Sequence, residues 1–536
     1  MKKHNFLTVL TLIFSAHLLG ATPLVFNVRD FGATGNKAND ASPAITRAID
    51  ECRQSGGGTV YLPAGDYRCL PIVLPDNTTL DLDAGATLFA DLQNPGFKGN
   101  AFISAQNARN ITIEGRGVID GQAEYTWADY QHDDVEISNE VEIARQAGVE
   151  LERSYRVGKV AYTFFPQHCD NVRLTGITVR NSSSWCMKIF RSNHVTLDGV
   201  TINSDLKLGV NSDGVDLDGS SNVHIYGCTI STGDDAICVK AEAGDYESTN
   251  HVFKPVGNGH PAENIVVDNC ILTSSSTAMM IGTETCSDIR HVLFSNCVIR
   301  NANKGFGINV QDGGTVSDVM FANITMDLRR RDWFWWGDAE AFYFVLKKRL
   351  PDSPIGAIRN ISIDNVIAHA QGTSRIITEA GKPLENISIN NFQLFMEPES
   401  VPDKRVSNAI TMEGVNGLKL NDIAIHWDDT APEAQWKSAF SLKHVDSFEM
   451  QDVSVRQGIL GSNSPAIVLD DTSNGIIRDN QALPGTDTLF EINGADTKHL
   501  LLINNLADNA ASFVAVDKSV NPAEVRTENT VMPVRP

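Results

Sequence analysis

Three aspartates in two short segments have the residue types and spacing for acid–base chemistry. The first segment, Asn211 to Gly214, contains Asp213, and the second, Gly233 to Asp235, ends in an adjacent aspartate pair. Asp213 and Asp234 are 21 residues apart, which is about one coil of a repetitive fold. Because stacked strands lie about 4.7–4.9 Å apart, the sequence predicts that Asp213 lies beside the pair.

Three carboxylates at close range favour glycoside hydrolysis. Like charges repel, so at least one carboxyl group should keep its proton to higher pH. Hydrolysis needs one carboxylic acid to protonate the leaving oxygen and one carboxylate to activate water. Two other interpretations stay open. Asp and Gly are common at turns, which suits Asp216 and Asp218 well, and several carboxylates on one face can bind calcium.

A recurring pattern of alternating apolar and polar residues must position these aspartates. Copies begin at residues 110, 171, 194, 222, 264, 318, 360, 386 and 417, with weaker copies near 447, 475 and 499. Alternation with a period of two indicates strands with one buried face. Repetition at roughly 22–30 residues without intervening helices indicates stacked coils, and a propeller unit would need about 40–45 residues. The sequence therefore predicts an all-β, right-handed parallel β-helix.

One helix and three insertions complete the predicted architecture. Ser42 is a suitable N-cap and Pro43 suits the first helical position, and apolar residues then recur at helical spacing up to the glycines at 56–58. This helix would cap the open N-terminal end of the solenoid. Insertions at 121–168, which contains a helix-like stretch at 135–156, at 241–262 and at 327–356 should gather on one face and build a groove.

The composition limits the class of protein. The chain has 536 residues, a formal net charge of −22 and 42% hydrophobic residues. This is globular composition with enough apolar surface for a large core, and the acidic charge argues against a nucleic-acid partner. Residues 1–21 resemble an export signal, with Lys2 and Lys3 before a short apolar run. We expect a single domain over 22–536, secreted or periplasmic, with no stable membrane insertion.

Nine cysteines are sparse for a chain of this length. Their spacing does not match a zinc site. Most should be buried as small apolar residues, although one or two disulfide bridges remain possible from the sequence.

The two aspartate segments together resemble the polygalacturonase family, glycoside hydrolase family 28, whose fold is a pectin-lyase-like right-handed parallel β-helix. The segments at 31–35, 57–65 and 80–88 are similar to the start of its bacterial members. The resemblance covers roughly residues 25–330. It implies that Asp234 is the general acid, that Asp213 and Asp235 activate the attacking water, that Asn211 and Gly233 shape the turns, and that the anomeric carbon is inverted.

Two further family motifs are altered. The usual Gly-His-Gly segment aligns with residues 276–278, so Thr277 replaces a histidine. The Arg-Ile-Lys segment that grips the substrate carboxylate aligns with residues 307–309, so Asn309 replaces a lysine. Without these cations, either the neighbouring sugar is not a galacturonate, as in rhamnogalacturonan, or other cations neutralise the carboxylate.

Several residues could supply the missing contacts. The candidates are Lys188, Lys240, Lys304, Glu284, His251 and His260, each of which could equally be structural. The segment 329–338 carries three arginines and three tryptophans. It could form a distal sugar-binding wall or anchor its loop to the solenoid.

The sequence thus predicts a secreted, cofactor-free and metal-free hydrolase of α-linked galacturonate bonds, acting as a monomer on acidic plant cell-wall polysaccharide: pectin, rhamnogalacturonan or their oligosaccharides. The insertions favour exo-action or short substrates. Two alternatives remain: a β-helix polysaccharide lyase, which needs a base and usually calcium, and a non-catalytic carbohydrate-binding β-helix protein.

Overall fold

The first residue of each sequence repeat bends the backbone into the left-handed region. Asn110, Asn171, Asn222 and Asn264 have φ angles of 55–58°, a conformation that asparagine adopts more readily than most residues. Their side chains also link successive coils, since the Asn264 Nδ2 donates to the Asn222 Oδ1 at 3.2 Å. The repeat is therefore a bend followed by a strand.

The computed structural model describes residues 24–128, 138–149, 154–243, 259–331 and 336–531. Two α-helices are present in these ranges, α1 (Ser42–Gln54) and α2 (Ser138–Gln146), with short 3-10 helices at Ala123–Tyr125 and Pro522–Glu524. The predicted export signal and His251 lie outside the described residues. No helix in the described ranges is long and apolar enough to cross a membrane.

The strands in the first half of the chain are β1 (Val25–Asn27), β2 (Gly58–Leu62), β3 (Gly65–Cys69), β4 (Ile72–Val73), β5 (Thr78–Leu82), β6 (Ala86–Ala90), β7 (Ala101–Gln106), β8 (Arg109–Gly115), β9 (Val118–Asp120), β10 (Trp127–Ala128), β11 (Tyr155–Arg156), β12 (Tyr162–Gln167), β13 (Asp170–Thr175), β14 (Thr178–Arg180), β15 (Met187–Phe190), β16 (Asn193–Asp198), β17 (Thr201–Asn203), β18 (Val215–Asp218), β19 (Ser221–Tyr226), β20 (Thr229–Thr232) and β21 (Ile237–Ala241).

The remaining strands are β22 (Ala262–Asp268), β23 (Ile271–Ser274), β24 (Thr277–Thr285), β25 (Ile289–Ser295), β26 (Val298–Ala302), β27 (Lys304–Val310), β28 (Thr315–Leu328), β29 (Glu340–Leu346), β30 (Ala357–Ala370), β31 (Ser374–Thr378), β32 (Leu384–Met396), β33 (Ile410–Trp427), β34 (Phe440–Val455), β35 (Pro465–Asp470), β36 (Ser473–Arg478), β37 (Gln481–Ala482), β38 (Thr486–Asn493), β39 (Lys498–Ile503), β40 (Ala510–Val516) and β41 (Val525–Glu528).

These strands stack into three parallel faces, as a right-handed parallel β-helix requires. Face A contains β2, β5, β8, β13, β16, β19, β22 and β25, and face B contains β3, β6, β9, β14, β17, β20, β23 and β26. Face C contains β7, β12, β15, β18, β21, β24, β27, β29 and β31. The predicted fold class is confirmed.

Alternate residues of face C point into the core and build it. Val215, Ile237, Met279 and Phe306 pair in register on successive strands, and each is completely buried. Burying one such side chain contributes about 1.5–3 kcal/mol. The residues between them point outward, so the outer side of face C is free to carry chemistry.

Helix α1 covers the N-terminal end of the solenoid, but its cap differs from the prediction. The N-cap is Ala41, which makes no side-chain cap hydrogen bond, and Ser42 is the first helical residue. The Ser42 hydroxyl instead accepts a hydrogen bond from the backbone N–H of Leu70 at 2.9 Å. Ile45, Ala48, Ile49 and Cys52 are buried, as the helical spacing predicted, and Ala44 is buried as well.

Within its described residues, the first insertion is only partly helical. Of the predicted stretch at 135–156, the described part forms α2 and the short strand β11, which pairs antiparallel with β10.

All nine cysteines lie in described residues, and all are free, so the structure contains none of the bridges that the sequence left open.

Candidate active site

One residue per coil forms a line at the start of face C. Thr277, Lys304 and Glu340 are directly paired on β24, β27 and β29. Asp213 and Asp235 continue this line, because each lies two residues before the paired residues Val215 and Ile237. We call these five residues the site row. It runs along the corner at which the chain passes from face B to face C.

The site row brings the three predicted aspartates together. Asp213, Asp234 and Asp235 are all buried, and one carboxylate oxygen from each lies within 4.8 Å of the others. The Asp213 Oδ1 is buried and has no hydrogen-bond partner among the described residues. The cluster therefore has an acceptor atom that is not committed to holding the fold.

Backbone amides and one side chain orient the other two carboxylates. The Asp234 Oδ1 accepts from the Asp235 N–H at 2.9 Å, and the Asp235 Oδ1 accepts from the Thr277 N–H at 2.9 Å. Asn211, in the left-handed conformation, donates from its Nδ2 to the Asp234 Oδ2 at 3.4 Å. Thr277 thus contributes its backbone, while its side chain is buried.

The turn that presents the aspartate pair requires a glycine. A Cβ atom on Gly233 would lie 2.3 Å from the carbonyl oxygen of Gly209 and 2.6 Å from that of Asp205. Both are backbone atoms, so neither can move aside cheaply. The Asp234 carbonyl oxygen is also fixed by the hydroxyls of Thr232 and Ser274, each at 2.7 Å.

Burial and neighbouring carboxylates favour the protonated form of Asp213. Burial raises the pKa of Asp213 well above its ordinary value, and the carboxylates of Asp216 and Asp234 raise it further, while Lys240 opposes them. Asp213 therefore keeps its proton to a higher pH than an isolated aspartate would. This is the property that the sequence predicted for the cluster.

Lys240 lies on the floor of the site beside the cluster. Its ammonium donates to the Glu284 Oε2 at 2.8 Å and lies 3.7 Å from the Asp216 Oδ1. Burial alone would raise the pKa of Glu284, but Lys240 and Arg349 together lower it well below its ordinary value. Lys240 and Glu284 thus form a buried ion pair at the edge of the cleft.

The structure contradicts the predicted role of Lys188. Its side chain is 0% exposed and its ammonium lies 3.2 Å from the Asp218 Oδ2 and 3.1 Å from the Glu242 Oε1. A completely buried ammonium cannot contact a substrate, so Lys188 is structural. The suggested turn role of Asp216 and Asp218 is also wrong, because both residues lie within β18 and are buried. Asp216 lies near Lys240, and Asp218 lies near Lys188.

A cleft with a volume of about 940 Å³ opens over the outer side of face C. The predicted residues Asn211, Asp213, Asp234, Asp235, Lys240, Thr277, Lys304 and Asn309 all line it, together with Trp185 and Trp336. His260 is exposed and is not among the lining residues. Trp333 and Trp335 lie outside the described residues.

The sequence missed four cations that line this cleft: Lys347, Arg349, Arg375 and Arg405. The first two belong to a basic run in the predicted insertion at 327–356, which was the available signal. The other two come from later coils, more than 130 residues after the aspartate pair. Arg330, Arg375 and Arg405 converge on Asp338, with nitrogen–oxygen distances of 3.8, 3.2 and 3.4 Å, and so tie these coils to the cleft wall.

Comparison with known proteins identifies the family. The sequence model of glycosyl hydrolases family 28 matches residues 52–331, slightly more than half of the chain, including all three clustered aspartates. The chain belongs to glycosyl hydrolases family 28.

Individual relatives of this family 28 chain are distant. A polygalacturonase from Nicotiana tabacum is 26% identical over 51% of this chain and 66% of its own length. An exo-poly-alpha-D-galacturonosidase from Dickeya chrysanthemi is 24% identical over 51% of this chain and 50% of its own length. The chain therefore spans between half and two thirds of these two relatives.

The fold is shared with a solved family structure. A hyperthermoactive exopolygalacturonase from Thermotoga maritima superposes with a TM-score of 0.58 at 21% identity, over 75% of this chain and 92% of that chain. At this identity the likeness concerns the fold.

The two altered family motifs lie in the cleft of this family 28 chain. Thr277 stands between Asp235 and Lys304 in the site row. Gly307 and Asn309 follow on β27, and the Asn309 Oδ1 is buried without a hydrogen-bond partner among the described residues. The positions that carry cations in the resembled motif are thus neutral here, although other cations line the same cleft.

Proposed function

We propose that this chain is a glycoside hydrolase that cleaves α-linked galacturonate bonds in pectin-type polysaccharide or its oligosaccharides. One observation carries the proposal: three buried carboxyl groups lie within 4.8 Å of one another at the floor of a cleft lined by cations. Carboxyl groups at this range provide an acid and a base in one site, and the cations suit an acidic substrate.

The mechanism that we propose is a single displacement. Asp234 donates its proton to the glycosidic oxygen as the bond to the anomeric carbon breaks. A water molecule attacks that carbon from the opposite side and loses a proton to Asp213 or Asp235, which inverts the configuration. The raised pKa of Asp213 makes its carboxylate a stronger proton acceptor, which supports its role as the base that activates water.

Several features support the finer parts of the proposal. The cleft is walled by Arg330, Trp336 and Arg405 from later coils, which favours exo-action or short oligosaccharides over binding within a long polymer. The apolar run after Lys2 and Lys3 supports secretion or export to the periplasm. Pectin and rhamnogalacturonan both remain substrates to be tested.

The test uses the purified chain and two variants on polygalacturonate and on rhamnogalacturonan, with and without a chelator. Asp234→Asn removes the proposed acid, and Asp66→Asn makes the same change at an exposed strand residue outside the cleft. We expect new reducing ends without ultraviolet-absorbing products, unaffected by chelator. Activity should fall by about 10²–10⁴-fold in Asp234→Asn and stay unchanged in Asp66→Asn.

The alternatives predict different results. Ultraviolet-absorbing products that disappear with chelator would identify a lyase, for which the three clustered carboxylates would hold the metal ion. Binding of either polymer without turnover, retained in Asp234→Asn, would identify a carbohydrate-binding protein. A β-anomer as the first product in proton NMR would support inversion of an α-linkage, and an α-anomer would refute it.

A further inference from the structure

Most cations around the cleft are already committed to acidic partners. Lys240 is bonded to Glu284. The Arg349 guanidinium donates two hydrogen bonds to Asp312, at 2.7 and 2.9 Å. Arg405 donates two to Asp403, at 3.0 and 2.7 Å. A cation saturated in this way has little left to offer a substrate carboxylate.

Lys304 differs from these residues. Its ammonium lies 3.8 Å from the Glu340 Oε1, beyond hydrogen-bond distance. It also lies 5.3 Å from the centre of the Tyr343 ring, and the Arg375 guanidinium lies 6.0 Å from the same ring. Tyr343 is thus flanked by two cations, and its hydroxyl makes no hydrogen bond to any residue that the structure describes.

The absence of a side chain at Gly307 creates this arrangement. Met280, Gly307, Tyr343 and Arg375 follow one another in register on the outer side of face C. A Cβ atom on Gly307 would lie 2.5 Å from the Met280 Sδ and 3.7 Å from the Lys304 Cδ. The stem of Lys304 therefore runs past the position where a longer side chain would otherwise project from β27.

Lys304 is also correctly placed relative to the carboxylate cluster. In the site row it is one coil beyond Thr277 and two coils beyond Asp235. Two strand spacings are roughly 9–10 Å. A uronate whose glycosidic bond lies at the aspartates can place its own carboxylate, or that of the next sugar, at this distance along the row.

We propose that Lys304, Tyr343 and Arg375 form the subsite that binds a substrate uronate carboxylate beside the cleaved bond. This carboxylate subsite takes the role of the cations that positions 307 and 309 carry in the resembled motif, and it rests on the proposed function. Lys304 supplies the charge and the Tyr343 hydroxyl donates a hydrogen bond. Arg375, which donates to the Asp338 Oδ2 at 3.2 Å, adds positive charge on the other side of Tyr343. Burial, followed by Glu379, raises the pKa of Tyr343 to about 12, so the hydroxyl keeps its proton throughout the neutral range.

The experiment compares a galacturonate oligomer with its methyl ester, which adds one methyl group and removes the negative charge. The value of kcat/KM is measured on both for the parent chain, Lys304→Met, Tyr343→Phe and Arg375→Gln. Lys348→Met is the matched control, because Lys348 is an exposed lysine just after β29 that does not line the cleft.

We expect Lys304→Met to lose about 10- to 100-fold in kcat/KM on the free acid, the size of one charge-assisted hydrogen bond, mainly through a higher KM. The loss on the methyl ester should be less than about threefold, so that the preference for the acid collapses. Tyr343→Phe should lose about 3- to 10-fold on the acid. Lys304→Arg should recover part of the preference, which a purely structural role of Lys304 would not predict.

An unchanged acid-to-ester preference in all three variants would overturn the subsite and leave the hydrolase proposal standing. So would an equal loss in Lys348→Met, which would indicate a general effect of charge. If the parent chain cleaves neither oligomer, the proposed function fails on its own. Binding of trigalacturonate, measured by calorimetry on the parent chain and Lys304→Met, then decides the subsite: equal affinity or no binding at all overturns it.

Discussion

Lys188→Met removes the cation that lies between Asp218 and Glu242 beneath the floor of the site. The Lys188 side chain is 0% exposed, and its ammonium is 3.2 Å from Asp218 and 3.1 Å from Glu242. The Asp218 Oδ1 also accepts from the Glu242 N–H at 2.8 Å. Methionine matches the length of the lysine stem, so the substitution changes the charge and leaves the packing nearly intact.

The distances set the size of the effect. At an effective dielectric constant of about 20, each contact is worth roughly 5 kcal/mol, and most of this is offset by the cost of burying the lysine itself. Breaking a buried ion pair by removing one partner typically costs about 3–5 kcal/mol, because the remaining charges stay buried without compensation. We expect a loss of this size in the free energy of unfolding at pH 7.

Urea unfolding followed by far-ultraviolet circular dichroism measures this loss. The triple variant Lys188→Met, Asp218→Asn, Glu242→Gln is the matched control, because it removes the stranded charges as well. It should recover at least half of the lost stability. In Lys188→Met the penalty should also shrink at pH 5, because the pKa of Asp218 is raised to about 6 and its carboxylate can take up a proton there.

Two results would refute this reasoning. If Lys188→Met unfolds at the same urea concentration as the parent chain, the buried charges do not depend on the lysine. If it is fully stable but has a greatly raised KM, Lys188 contacts substrate after all, and the cleft must open to expose it.

Two further predictions concern pH and the turn of the site. Burial, with Glu242, raises the pKa of Asp218 from 3.8 to about 6, so the folded chain holds this proton more tightly than the unfolded chain. Stability from this group is present below about pH 4 and is lost as the pH rises through 6, a change of roughly 3 kcal/mol. Asp218→Asn should therefore gain that much relative to the parent chain between pH 4 and pH 7 in urea unfolding, and parallel curves would count against it. Gly233→Ala adds a Cβ that would lie 2.3 Å from a backbone oxygen, which must displace the aspartate pair. We expect kcat to fall by about 100-fold, and a variant with normal kcat would show that the turn tolerates the atom.

The fold could be predicted from the sequence alone because the solenoid is built from local sequence features. Each copy carries its own bend residue and its own alternating strand, and residues in contact on neighbouring coils are separated by one repeat. The 21-residue spacing therefore translated directly into the contact between Asp213 and the Asp234–Asp235 pair. The helix at 42–54 could be recognised for the same reason, since its apolar spacing and its glycine end are local features.

The lysines show that a local sequence pattern does not predict which cations are paired with acidic groups. Lys188, Lys240 and Lys304 look alike in the sequence, and each lies within two coils of the aspartate segments. Only the structure shows that Lys188 is enclosed by Asp218 and Glu242, that Lys240 is paired to Glu284, and that Lys304 has no acidic oxygen within hydrogen-bond distance. The availability of a cation depends on which acidic groups neighbouring coils and insertions bring to it.

The sequence by itself determined the parallel β-helix and the three-aspartate cluster, since both follow from a regular repeat in which register carries each residue to a known neighbour. Only the tertiary structure decided which charges are available to a ligand. Arg375 and Arg405 reach the cleft from coils far along the chain, and Asp216 and Asp218 proved to be buried strand residues. Burial and charge pairing are properties of the assembled surface, and electrostatic free energy depends on distances between residues that no local pattern records.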